Sequence, residues 1–131
     1  MKKVIKVVGA IFVNDKDEIF CAKRPMEKAF GGLWEFPGGK IENNESPQQA
    51  LEREIWEELN IKIKANDIFI NVEKEYEDFI INLTCINCDI LDFSSFKLTE
   101  HLEYRWVSRK DILNIPWVPT DIPIVEKLSL A

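Results

Sequence analysis

The sequence predicts an α/β fold, a mixed β-sheet with helices packed on its faces. Strand-sized runs of β-branched and aromatic residues dominate the first two-thirds of the chain. One strongly signalled helix interrupts them, and weaker helical signals follow at the C-terminus, the mix expected of sheet and helices sharing one core. A length of 131 residues fits one domain, residues 1–131.

The elements follow in order. Val4 to Val13 reads as a buried first strand, Asn14 to Asp17 as a hairpin turn and Glu18 to Ala22 as the returning strand. Lys23 to Gly32, with Pro25 and a glycine pair, reads as a mobile surface loop. Leu33 to Phe36 is a short strand stopped by Pro37 and by Gly38-Gly39, where the backbone is expected to turn tightly and approach a ligand. The helix spans Pro47 to Leu59: Ser46 caps it, Pro47 suits its first position, Gln49 completes a capping box, and Asn60 serves as a left-handed C-terminal cap. Ile61 to Glu77 and Phe79 to Leu91 read as strands, with a polar connection from Asp92 to His101 and a further strand at Tyr104 to Val107. Ser108 is expected to cap a short helix through Ile115. Thr120 is expected to cap a last helix from Asp121 to about Leu128, beyond the connector Pro116 to Pro119.

Composition narrows the function. No apolar run approaches membrane-spanning length, and the short apolar start, followed by Asn14 to Glu18, reads as a strand instead of a leader, so a cytoplasmic protein is expected. The net charge of −6 gives no general attraction to duplex nucleic acid. An anionic ligand would have to be reached through cations. Three cysteines, Cys21, Cys85 and Cys88, suit reduced buried thiols; Cys85 and Cys88 lie three apart on a strand and face opposite sides.

The helix carries the chemistry. At about 100° per residue, Leu51, Ile55 and Leu59 form the apolar stripe that packs on the sheet, and Glu54, Glu57 and Glu58 share the adjacent arc. Glu54 and Glu58 are a like-charge pair one turn apart, and Glu57 and Glu58 stand near the helix C-terminus, where the macrodipole disfavours anions. Such placement implies a compensating cation, and an all-oxygen donor set selects Mg²⁺ or Mn²⁺. A carbonyl from Gly38 or Gly39 is a further candidate ligand, and Arg53 can brace a carboxylate or the preceding loop by bidentate pairing. The competing reading is a solvated charged face. The glycine loop at fixed distance tips the balance toward metal-assisted hydrolysis of a diphosphate bond.

Gly39, five residues, Glu45, seven residues, then Arg53-Glu54-Ile55-Trp56-Glu57-Glu58-Leu59-Asn60-Ile61 resembles the Nudix box, G-x5-E-x7-R-E-U-x-E-E-x-G-U, with U apolar. One fixed position departs: Asn60 stands for glycine, and asparagine is the next-best left-handed cap. Leu33 to Glu42 and the tail Pro119-Thr120-Asp121-Ile122-Pro123 resemble the MutT branch of that family.

The resemblance implies a Nudix-type α/β/α sandwich with a mixed β-sheet. It also implies Mg²⁺-dependent hydrolysis of a nucleoside triphosphate to the monophosphate and pyrophosphate, by a monomer or homodimer. Carried over by position, Glu54, Glu57 and Glu58 are metal ligands, one of them a possible general base, and Gly38 offers its carbonyl. Gly39, Glu45 and Arg53 hold the loop–helix geometry. Glu100 matches a further glutamate acting as ligand or base, and Arg24 a contact to substrate phosphate. His101, the sole histidine, is read as a loop residue. Asp121 stands where MutT carries a base-reading asparagine; an ionised aspartate only accepts hydrogen bonds, which suits the cytosine amino group, whereas a protonated one still suits oxidised guanine. Both substrates stay open, as do hydrolysis of another nucleoside diphosphate derivative and a catalytically silent binding domain. Trp34, Trp106 and Trp117 are expected to pack in the core rather than stack on a base.

Overall fold

A computed structural model describes residues 1–130. The strands are β1 (Lys3–Ile11), β2 (Glu18–Lys23), β3 (Trp34–Glu35), β4 (Gly38–Lys40), β5 (Lys62–Glu75), β6 (Phe79–Asp92) and β7 (Glu103–Ser108); the helices are α1 (Pro47–Leu59) and α2 (Ile122–Leu130). They form two sheets. One is mixed, in the order β4-β1-β6-β5, with β1 and β6 parallel. The other, β3-β2-β7, is antiparallel throughout.

The turn at Asn14–Asp17 is where the chain changes sheet. Asn14 Oδ1 accepts from the amides of Lys16 and Glu18, and Asp17 adopts a left-handed φ of 60°. The expected hairpin therefore survives as a turn, but its two strands continue into different sheets, joined at the Val13–Ile19 bridge by the Phe20 N–H to Phe12 carbonyl and Asn14 N–H to Glu18 carbonyl bonds.

Both faces are covered, as the uninterrupted apolar strands require. In β1 and its continuation, Val8, Ala10 and Phe12 face α1, while Ile11 faces α2; in β2, Phe20 and Ala22 face α1 and Ile19 and Cys21 face α2. The α1 side is closed by Leu51, Ile55 and Leu59, all fully buried, as the stripe predicted. The α2 side is closed by Ile124, Val125 and Leu128 over Trp34, Phe36 and Trp117. Trp34 and Trp117 are buried and Trp106 packs edge-on against Phe20, so all three are core residues. Cys85 and Cys88 join opposite clusters, and all three thiols are free.

The capping signals of α1 act as read. Gln49 N–H donates to Ser46 Oγ at 3.1 Å, the Gln49 side chain answers the Ser46 amide at 2.9 Å, and Asn60 caps the far end at φ 53°, ψ 38°. Two C-terminal expectations fail. Ser108 caps no helix; its hydroxyl bonds Asp111 at 2.9 Å and only a 3-10 turn, Ile112–Asn114, follows, because Pro116 and the Trp117 Nε1–H to Ile112 carbonyl bond end it. Nor does Thr120 cap α2. It lies in a 3-10 turn, Pro119–Asp121, its hydroxyl shared with the Tyr76 phenol at 2.8 Å, and α2 starts one residue later than expected. No helix among the described residues is long and apolar enough to cross a membrane.

Candidate active site

A cavity of about 710 Å³ opens between the sheets, and its lining brings together Arg24, Gly38, Gly39, Glu54, Glu58, Glu100 and Asp121, but not Glu45, Arg53 or Glu57. One wall is β4. Gly38 and Gly39 do not make the expected tight turn; they are a strand paired with β1 at Gly9 and Val8, without positive φ. Their need for glycine is steric. A Cβ on Gly38 would strike the Val8 carbonyl, and one on Gly39 the Glu54 carboxylate.

Arg53 ties the loop after β4 to α1. It donates to both carboxylate oxygens of Glu45, at 2.7 and 3.0 Å, to Glu54 at 2.9 Å and to the Lys40 carbonyl at 3.1 Å. Glu45 in turn accepts from the Glu42 amide, and the Arg53 bonds followed by that one hold its carboxyl below the usual range. Glu45 and Arg53 thus stand where loop–helix bracing needs them.

The carboxylates differ sharply in setting. Glu58 is 4% exposed, and its Oε2 finds no hydrogen-bond partner among the described residues. Burial first, then the charges of Glu100, Glu54 and Glu35, push it up to about 9. Glu54 is also raised, chiefly by burial and against the opposing pull of Arg53. Glu100 joins these two in the cavity lining. Glu57 does not; its side chain is 56% exposed, 3.5 Å from Arg53. Glu52, the fourth glutamate of the helix, has a separate job, accepting the Ala65 amide at a bulge in β5. Among the described residues no three His, Cys, Asp or Glu side chains converge into a ready-made metal cluster. The buried, unpartnered Glu58 oxygen beside Glu54 and Glu100 nevertheless fits a hard divalent cation, since a positive charge there relieves both desolvation and repulsion.

The opposite wall carries Asp121 and a polar chain. Residues 116–118 run beside β3, with the Trp34 amide donating to the Pro116 carbonyl and the Val118 amide to the Trp34 carbonyl. This delivers Asp121 to Phe36, whose amide donates to Oδ2 at 3.0 Å. Asp121 is 5% exposed, and burial pushes it up to about 8 against the Phe36 hydrogen bond, with Glu35 adding to the rise. Arg24 is engaged with Glu35 at 2.9 Å and the Ala29 carbonyl at 2.8 Å. The loop it begins is compact, closed by the Gly32 amide on the Arg24 carbonyl and the Gly31 amide on the Lys28 carbonyl.

Two lining residues, Glu35 and Lys28, escaped the sequence reading, and a third, His101, is expected there to be only a loop residue. Glu35 bridges Arg24 and His101, accepting the latter at 2.9 Å; His101 is therefore an inward-facing residue, its side chain only 4% exposed. Lys28 adds a cation to the lining. The one signal was a glutamate inside the apolar run Leu33 to Phe36, which a short strand over a pocket explains.

A sequence model of the NUDIX domain matches residues 7–127. The chain is 38% identical over 125 residues to the CTP pyrophosphohydrolase of Escherichia coli K12, covering 95% of this chain and 90% of that one. It is 37% identical over 83 residues to the 8-oxo-dGTP diphosphatase of Proteus vulgaris, covering 63% and 74%. Among solved structures it resembles the MutT protein, a Nudix hydrolase, of methicillin-resistant Staphylococcus aureus 252, with TM-score 0.76, 44% identity and coverage of 99% and 98%.

Proposed function

Given that this chain belongs to the NUDIX domain family and is a Nudix hydrolase, we propose that it is a single Nudix domain hydrolysing nucleoside triphosphates to the monophosphate and pyrophosphate with Mg²⁺, in the cytoplasm. The observation that carries the reading is Glu58, a buried carboxylate with an unpartnered oxygen, in one wall with Glu54 and Glu100. Nudix hydrolases generally need a divalent metal; Mg²⁺, with Mn²⁺ as substitute, suits these hard oxygen donors. Glu54, Glu58, Glu100 and the Gly38 carbonyl, all from lining residues, would hold it, and Glu57, exposed outside that lining, would join them only by turning its side chain inward. When bound there, the cation neutralises phosphate charge and acidifies a water.

The chain's own part is binding, bracing and proton removal. One glutamate of the set takes the proton of the attacking water as its oxygen bonds to phosphorus and the pyrophosphate departs. Arg53 and Glu45 keep the loop and α1 in register during that exchange. Arg24 and Lys28 offer positive charge to the phosphates, and Phe36 and Leu83 offer apolar lining to the base. Asp121 reads the base edge. With its carboxyl held up to about 8, it keeps a proton at neutral pH, accepts from Phe36 through one oxygen and donates through the other. It thereby matches the donor-plus-acceptor character of an asparagine. This favours oxidised guanine alongside the cytidine nucleotides named for the Escherichia coli relative.

A panel of triphosphates with Mg²⁺, including CTP, dCTP and 8-oxo-dGTP, tests the reading by scoring pyrophosphate against orthophosphate. Pyrophosphate release is expected. Orthophosphate, turnover confined to nucleotide sugars or dinucleotides, or binding without turnover would overturn it.

A further inference from the structure

Glu100 poses a positioning problem. It lines the cavity with Glu54 and Glu58, yet it is exposed and lies on a connecting segment instead of a strand or helix. An exposed loop carboxylate has no burial to fix it, and its rotamers are free. The structure fixes its two neighbours instead. On one side, the Thr99 hydroxyl donates to the Glu58 carbonyl at 2.6 Å and lies 3.4 Å from the Glu57 carbonyl; the Thr99 amide also reaches the Glu58 carbonyl at 3.2 Å. Just before it, the Lys97 amide takes the Leu59 carbonyl at 2.9 Å. These carbonyls belong to the last turn of α1, where no intrahelical donor remains. On the other side, His101 Nε2 bonds Glu35 on β3 at 2.9 Å, with Glu35 held from beyond by Arg24. The Leu102 amide then closes onto the Lys23 carbonyl at 3.0 Å. Because the Glu35 carboxylate only accepts, His101 Nε2 is the donor in this bond.

We propose that Thr99 and His101 are positioning residues for Glu100. They form a two-sided bracket that holds it in one frame with Glu57 and Glu58, because the same threonine that flanks Glu100 caps the helix turn bearing those two. The inference rests on the cation-binding role given to Glu100 above and adds residues that the Nudix box does not contain. Thr99 lies outside the cavity lining, and His101 lines it with its ring engaged by Glu35; the role assigned to both is through Glu100.

Double-mutant cycles read by Mn²⁺ affinity of the nucleotide-free protein test this, with Mn²⁺ binding followed by electron paramagnetic resonance. Thr99→Val and His101→Leu are each expected to weaken Mn²⁺ binding about tenfold, the scale of lost outer-shell support. In a Glu100→Gln background the same changes are expected to cost less than about twofold, since the group they position is gone. Thr99→Ser and His101→Gln keep the donors and should bind like the unsubstituted protein. Urea unfolding of every variant separates lost fold from lost positioning, and where Thr99→Val fails to fold, the His101→Leu cycle with Glu100→Gln decides. Equal factors in both backgrounds, no effect of Glu100→Gln on Mn²⁺, or a serine variant as weak as valine would overturn the bracket. Failure of the proposed reaction shows up separately, as absence of pyrophosphate release by the unsubstituted protein with the Mn²⁺ cycle intact.

Discussion

Asp121→Asn changes one terminal group and keeps the shape that accepts the Phe36 amide. In the folded chain, burial raises the Asp121 carboxyl from its ordinary 3.8 to about 8. The native state therefore holds a proton that the unfolded state releases across that interval. The sign follows: the stabilisation is fully present below 3.8 and is lost as pH rises through about 8. Within the window each pH unit costs about 1.4 kcal/mol. Between pH 5 and pH 7 the loss from this one residue is about 3 kcal/mol, a large part of a typical domain's stability. Asparagine does not titrate. The stability of the variant relative to the unsubstituted chain should rise by about that amount over the same two pH units, on top of any constant offset from the new amide. Urea unfolding of both proteins at pH 5, 6 and 7, without nucleotide, measures the difference directly and cancels the other titrating groups. A difference constant to about 0.5 kcal/mol across the series would refute the buried, protonated Asp121.

Other substitutions probe the rest of the site. Glu58→Gln should abolish Mg²⁺-dependent turnover yet raise the melting temperature of the metal-free protein at neutral pH, because it removes a carboxylate whose folded pKa lies near 9; scanning calorimetry with and without Mg²⁺ reads both, and a lowered metal-free melting temperature would count against the reading. The two glycines should separate. Gly38→Ala meets backbone at Val8 and is expected to cost about 2 kcal/mol or more, whereas Gly39→Ala meets a movable carboxylate and should lower turnover at least tenfold with little change in urea midpoint. Asn60→Gly should be neutral or stabilising by under about 1 kcal/mol by urea unfolding, since the position is already left-handed. For Arg53→Lys, with five bonds reduced to the reach of one ammonium, a loss of turnover of about tenfold or more is expected in the pyrophosphate assay.

The legible parts of this chain were the local ones. Ser46, Gln49 and Asn60 act on the backbone within a few residues, so their pattern announced α1 before any fold was known. The apolar stripe of α1 was legible for the same reason. What stayed hidden depends on who arrives from far along the chain. The Gly38-Gly39 pair reads as a turn until Val8 and Glu54 are seen pressed against it. Thr120 reads as a cap until Tyr76, 44 positions away, claims its hydroxyl. His101 reads as loop until Glu35, 66 positions away, turns it inward. The division of strands into two sheets is a long-range choice as well, because alternating apolar residues fix which faces are buried but not which neighbours pair.

The two buried clusters on opposite faces of the sheets have a consequence for how such an enzyme can diversify. Glu54 and Glu58 stand on a helix seated in one cluster, and Asp121 leads into a helix seated in the other. On the roles proposed above, substitutions that repack the α2 side shift the base-reading edge with little disturbance of the packing under the acid wall, because distant changes in separate clusters combine nearly additively. On those roles, selectivity and reaction chemistry rest on separate packing and meet at Glu35, whose charge acts on both Glu58 and Asp121, so a lineage built on this frame can change the nucleotide it takes while keeping the bond it breaks.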